Sequence, residues 1–134
     1  MTLVLPDTGE LIALKALFNN TAGQDVKIKL FTNNITPSES DTAGTYTEAN
    51  FTGYAALTLL GANWTFTGGA PSSASYAQQT FASTANQATQ QVYGYFVVQA
   101  TSGTLLYAER FPAGPYPIAN NGDQILVTPT FTAD

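Results

Sequence analysis

Side chains able to do covalent or acid–base chemistry are few in this chain. It has no histidine and no cysteine. That removes Ser-His and Cys-His nucleophile pairs, imidazole or thiolate zinc sites and any disulfide framework. Nine carboxylates, four basic residues and seven tyrosines remain. Paired carboxylates could serve glycoside hydrolysis, but the acids are spread mostly through loops and termini, and no pair stands out. No glycine-rich phosphate loop is present. The expectation is a non-enzymatic protein without cofactor or metal. Glu39, Asp41 and Glu48 make one polar loop acidic, yet they lack the regular D-x-D-x-D-G spacing of a calcium loop.

One pair of charges is more informative. Glu109 and Arg110 are adjacent near the end of Gln91–Phe111, QVYGYFVVQATSGTLLYAERF, and Arg110 is the only arginine. This stretch is the densest hydrophobic segment. It reads as two strands joined by a tight turn at Thr101-Ser102-Gly103. Alternation puts Val92, Phe96 and Val98 on one face and Tyr93, Tyr95 and Val97 on the other. Both faces are apolar or aromatic, so both are expected to be covered. Glu109 and Arg110 point to opposite faces, so at least one of them needs a partner. That partner is either within the chain or on an adjacent subunit. Tyr93, Tyr95, Tyr107, Glu109 and Arg110 are therefore the candidate interface.

The remaining elements must position this hairpin. Asp7–Asn20, DTGELIALKALFNN, is the one good helix pattern. Asp7 and Glu10 have capping-box spacing, Leu11, Leu14, Leu17 and Phe18 share a face, and Asn19-Asn20 with Gly23 supply the stop. Val26–Phe31 alternates as a half-exposed strand, with Lys27 and Lys29 opposite Val26, Ile28 and Leu30. Thr32–Gly44 is a long polar loop. Further strands are predicted over Tyr54–Leu60, Asn63–Thr67, Ser75–Ala82 and Gln124–Phe131. Gly68–Ser73 and Asn121-Gly122-Asp123 read as turns, and Ser83–Thr89 as a polar connection. Pro112–Asn121 is too proline-rich for a central strand and reads as an extended arm or edge wrap. The predicted architecture is a single domain, residues 1–134, with the β part over about 26–132. It is mainly β, an antiparallel β-sandwich or flattened barrel of about 7–8 strands with one N-terminal α-helix over about 7–20.

Composition excludes several partners. Only 10% of residues are charged, and the chain is rich in Thr, Asn, Gln, Ser and Ala. The net charge is −5, which offers no cationic stripe to nucleic acid or to an anionic membrane. No apolar run is long enough to span a membrane. The start, MTLVLPDTGE, lacks the basic and apolar regions of a secretory signal. The N-x-T sequons at Asn19, Asn34, Asn50 and Asn63 are accordingly read as products of composition rather than glycan sites.

Several segments in order carry a resemblance. They are Pro6–Leu17, Leu30–Asp41 leading to Tyr46–Glu48, Gly53–Leu57 followed by Trp64, Tyr76–Phe81, Val92–Phe96, Leu105–Phe111 and Gly122–Phe131. Together they resemble a family of small virion proteins of tailed bacteriophages. The resemblance implies a non-enzymatic particle component located in the virion and assembled in the host cytoplasm. Within a virion the favoured role is a capsid decoration, or cement, protein that binds the major capsid protein as a homo-oligomer, with a trimer favoured. The alternatives are a tail or baseplate component or a host-glycan-binding module. A glycan-binding face would need exposed aromatics, for which Trp64, Tyr54 and Tyr46 are the plausible set.

Overall fold

VKIKLF forms strand β1 (Val26–Phe31) because β-branched and long side chains alternate at a period of two. Val26, Ile28 and Leu30 are buried on one face, while Lys27 and Lys29 remain half-buried on the other. The computed structural model describes Leu14 and residues 25–133. The helix expected over about 7–20 lies outside the described residues except for Leu14, which is helical and packs in the core.

The described chain is mainly β, with antiparallel sheets and no helix of seven residues or more. After β1 come β2 (Leu57–Leu59), β3 (Thr65–Thr67), β4 (Ser72–Ser75), β5 (Gln79–Ala82) and β6 (Gln90–Val92). Then follow β7 (Gly94–Gln99), β8 (Leu105–Arg110), β9 (Tyr116–Ile118), β10 (Gln124–Val127) and β11 (Thr130–Ala133). The central sheet has the order β2-β1-β7-β8. A second sheet has the order β11-β4-β3, and two further pairs join β10 to β5 and β6 to β9.

Among the described residues eleven short strands replace the seven or eight expected, because three predicted strands break in two, one of them the first strand of the hairpin into β6 and β7, and because the proline-rich arm contributes β9 as a partner of β6. Ser75–Ala82 breaks after Ser75, so that β4 begins at Ser72 inside the segment read as a turn and β5 begins only at Gln79, and Gln124–Phe131 divides into β10 and β11 at Pro129. Between the Ser75↔Thr130 and Gln79↔Val127 pairs lie residues 76–78 on one strand and 128–129 on the other, one residue more. Pro129 has no N–H to donate, but its carbonyl accepts the Tyr76 N–H at 3.0 Å. The long ladder therefore bends at a bulge. Tyr54–Leu60 shortens to β2 because Gly53 takes a positive φ of 92° and Tyr54 N–H closes a turn onto the Phe51 carbonyl.

The hairpin of β7 and β8 turns at Thr101-Ser102-Gly103 as the sequence predicts, with Gly103 at φ 74°. Val97 pairs with Tyr107 and Val98 with Leu105, leaving Leu106 as the extra residue of a bulge. The predicted side-chain faces hold for Tyr95 and Val97 against Phe96 and Val98. They fail for Val92, which joins the cluster of Tyr95 and Val97, and for Tyr93, which packs with Phe96 and Val98. The chain breaks its strand at Tyr93, so β6 leaves the central sheet to pair with β9 and the alternation slips by one. Gly94 makes this crossing possible. A Cβ there would meet the Glu109 carbonyl and lie 2.6 Å from the Phe31 ring.

Both faces of the hairpin are covered from within the chain. The main core collects Ile28, Leu30 and Val97 of the central sheet, Ala74 of β4, Phe81 and Ile125 of the β5–β10 pair, and Val92 and Ile118 of the β6–β9 pair. Fully burying each large aliphatic or aromatic side chain contributes about 1.5–3 kcal/mol. On the opposite face Phe31, Phe96 and Val98 form a second cluster with Tyr46, against which Ile35 and Ala43 pack. Tyr46 stacks on Phe96 with centroids 5.0 Å apart. The long polar loop after β1 is thus the cover of the outer face of the sheet.

Candidate interface

The five candidate residues sit on the β6–β8 stretch but fall on two different surfaces. Tyr95 and Glu109 are direct cross-strand partners on β7 and β8. The Tyr95 hydroxyl donates to Glu109 Oε2 at 2.7 Å. Tyr95 is 3% exposed and belongs to the main core, so it has no surface to offer a partner. Its ring meets Tyr107 edge-on at 6.1 Å, and Tyr107 in turn meets Phe131 at 5.2 Å. Burial, chiefly, pushes both phenols above their ordinary range, and the Glu109 carboxylate adds to the shift by opposing a second negative charge nearby. Of this trio only Glu109 is exposed.

Arg110 lies on the other face, as strand alternation requires. Nη1 donates to the Ile35 carbonyl and Nη2 to Asn34 Oδ1, both at 2.8 Å. The guanidinium sits over the Tyr93 ring at 5.1 Å. Arg110 therefore has partners within its own chain. It fastens the covering loop to the hairpin.

Two of the three acids in and just after that loop, Asp41 and Glu48, are engaged in the same way. Asp41 Oδ2 accepts from the Ser38 N–H at 2.9 Å and the Tyr46 hydroxyl at 2.7 Å. Glu48 pairs with Lys29 at 3.0 Å and accepts the Tyr54 hydroxyl at 2.9 Å. Among the described residues no group of three or more acids, histidines or cysteines could hold a metal ion. The aromatic set considered for glycan contact is also turned inward. Trp64 and Tyr46 are buried, and Tyr54 is half-buried with its hydroxyl between Glu48 and the Leu30 N–H.

The apolar surface that remains lies elsewhere. Among the described residues three large apolar side chains are exposed: Leu60, just after β2 and apart from the others, at 48%, and the pair Tyr116 of β9 at 40% and Leu126 of β10 at 52%. With Phe111, Gln124 and Ile125, Tyr116 and Leu126 line a shallow cleft of about 330 Å³. The sequence did hold a signal for Leu126, because it stands out of phase with Ile125 and Val127. For Tyr116 no comparable signal exists, since the proline-rich arm has no periodicity to read. A second, uncharged cleft opens beside residues 87–93.

No family model matches the chain, and no curated protein or solved structure matches it at a significant level.

Proposed function

We propose that this chain is a non-enzymatic structural protein of a tailed-bacteriophage virion, a capsid decoration protein that binds the major capsid shell as a homo-oligomer. The observation that carries the reading is the exposed apolar cleft of Tyr116 and Leu126 on a β scaffold most of whose described charged side chains are bonded within the chain. Exposed apolar surface on a rigid domain suits protein contact better than solvent. The ordered segment resemblance supports the virion assignment. In this reading the four sheets close around their common core as a β-sandwich or flattened barrel, with the N-terminal helix covering one end.

The contact surface proposed is the Tyr116–Leu126 cleft rather than the aromatic face of the hairpin. The test is to add purified protein to heads that lack it, and to measure bound copies per particle and the temperature at which heads rupture. Near-stoichiometric binding, a higher rupture temperature and loss of both in Leu126→Asp are expected. Presence at a few copies in tail fractions, with no binding to heads, would establish the tail or baseplate alternative instead.

A further inference from the structure

The cleft beside residues 87–93 has a volume of about 520 Å³ and lies between the end of β1, the turn at 50–52 and β6. Its lining contains no charged residue. Two glutamines build the walls. Gln90 Oε1 accepts the N–H groups of Asn50 and Phe51 at 3.0 and 3.1 Å, and Gln87 Oε1 accepts the Thr52 N–H at 2.8 Å. Gln87 Nε2 is held in turn by Ser83 Oγ at 3.1 Å. These bonds tie segments 35 to 40 residues apart, so the cleft is shaped before any ligand arrives.

Inside this frame, Thr89 and Gln91 present exposed polar side chains that make no hydrogen bond with the described residues, and half-buried Tyr93 supplies an aromatic surface. A primary amide offers donors and an acceptor, and a hydroxyl offers both. Such a lining matches a ligand with many hydroxyls, apolar C–H faces and no charge. No charged side chain lines the cleft, and the Arg110 guanidinium over the Tyr93 ring is already bonded to Ile35 and Asn34, so neither cation nor anion is favoured there. A peptide strand would call instead for a row of unpaired backbone groups, whereas the Asn50, Phe51 and Thr52 N–H groups are already bonded to the glutamines.

We propose that this cleft is a binding site for a neutral sugar unit of a polysaccharide. The site is separate from the Tyr116–Leu126 cleft, so failure of capsid binding leaves it standing and its own failure leaves the capsid reading standing.

The experiment is saturation-transfer NMR on the full chain with neutral oligosaccharides built from glucose, galactose, mannose and N-acetylglucosamine, beside sialylated and uronate-containing ones. Saturation of sugar C–H protons in a neutral member is expected. Gln91→Ala and Thr89→Val, both at exposed positions, are each expected to weaken it by about tenfold with an unchanged melting temperature. No transfer to any neutral sugar would overturn the proposal. So would transfer that both variants leave undiminished, or equal transfer to the acidic sugars.

Discussion

Arg110 on β8 donates to the carbonyl oxygen of Ile35, 75 residues away in the chain, at 2.8 Å. With the second bond to Asn34 it joins the last strand of the central sheet to the loop that covers that sheet. Arg110→Ala is expected to destabilise the protein by about 1–3 kcal/mol, because two charge-assisted hydrogen bonds and the contact with Tyr93 are lost together. Lys27→Ala, on the same face of the sheet but outside any ion pair among the described residues, is expected to change stability by less than about 0.5 kcal/mol. Chemical denaturation of the two variants side by side checks the difference. Equal stabilities would show that the loop is held by packing of Tyr46 and Ile35 alone.

Gly94 is required by contact rather than by backbone angle. Its missing Cβ leaves room for the Glu109 carbonyl and the Phe31 ring. Gly94→Ala is expected to destabilise by about 2 kcal/mol or more, since a backbone atom must move. At Gly44 the nearest neighbour of an added Cβ is Thr42 Oγ1 at 3.7 Å, an ordinary contact. Gly44→Ala should therefore be tolerated, and thermal melts of the two variants provide the comparison.

Alkaline pH should unfold the protein through its buried phenols. Tyr46, Tyr54, Tyr95 and Tyr107 are all raised above the ordinary value of 10.0, with burial as the largest cause for each. In the unfolded chain they ionise from about pH 10, while in the folded chain they hold their protons. The folded state therefore binds more protons in that range. Stability is fully present below pH 10 and falls as pH rises above it. Titrating unfolding free energy against pH should show this slope. The Tyr95→Phe, Tyr107→Phe double variant should flatten it.

Asp123 gives the opposite limb. Its carboxylate accepts the N–H groups of Ala119 and Asn120 at 2.9 and 2.8 Å, and these bonds hold its pKa below the usual carboxylate value. Its contribution is present above the unfolded value and is lost as pH falls through the folded one. Asp123→Ala should melt lower than the parent at neutral pH, and the gap should close in acid. A gap that persists unchanged in acid would mean that the side chain acts through turn geometry rather than through its charge.

The legible part of this fold follows from period and punctuation. β1, the turn at Thr101–Gly103 and the turn at Gly122 could be read directly, because alternation and glycine act over a few residues. The two faces of the hairpin were readable as far as Gly94. Val92 and Tyr93 were not, because Gly94 in QVYGYF marks a close approach of backbone but does not say that the strand leaves one sheet for another there. The break of Gln124–Phe131 at Pro129 had a local cause in the missing N–H. The matching break of Ser75–Ala82 had none, since the extra residue among 76–78 is set by pairing with Pro129, more than fifty residues away.

The candidate interface divides along the same line. The sequence by itself determined that Glu109 and Arg110 face opposite ways, that both faces of the hairpin must be covered, and that no histidine or cysteine chemistry is available. Only the tertiary structure decided what does the covering. Tyr46, Ile35 and Ala43 of a polar loop close the outer face, Arg110 fastens that loop, and Tyr95 disappears into the core. Alternation along a strand is a local property of the backbone. Which distant segment satisfies a buried charge or ring depends on chain closure over tens of residues, and no local pattern encodes that choice.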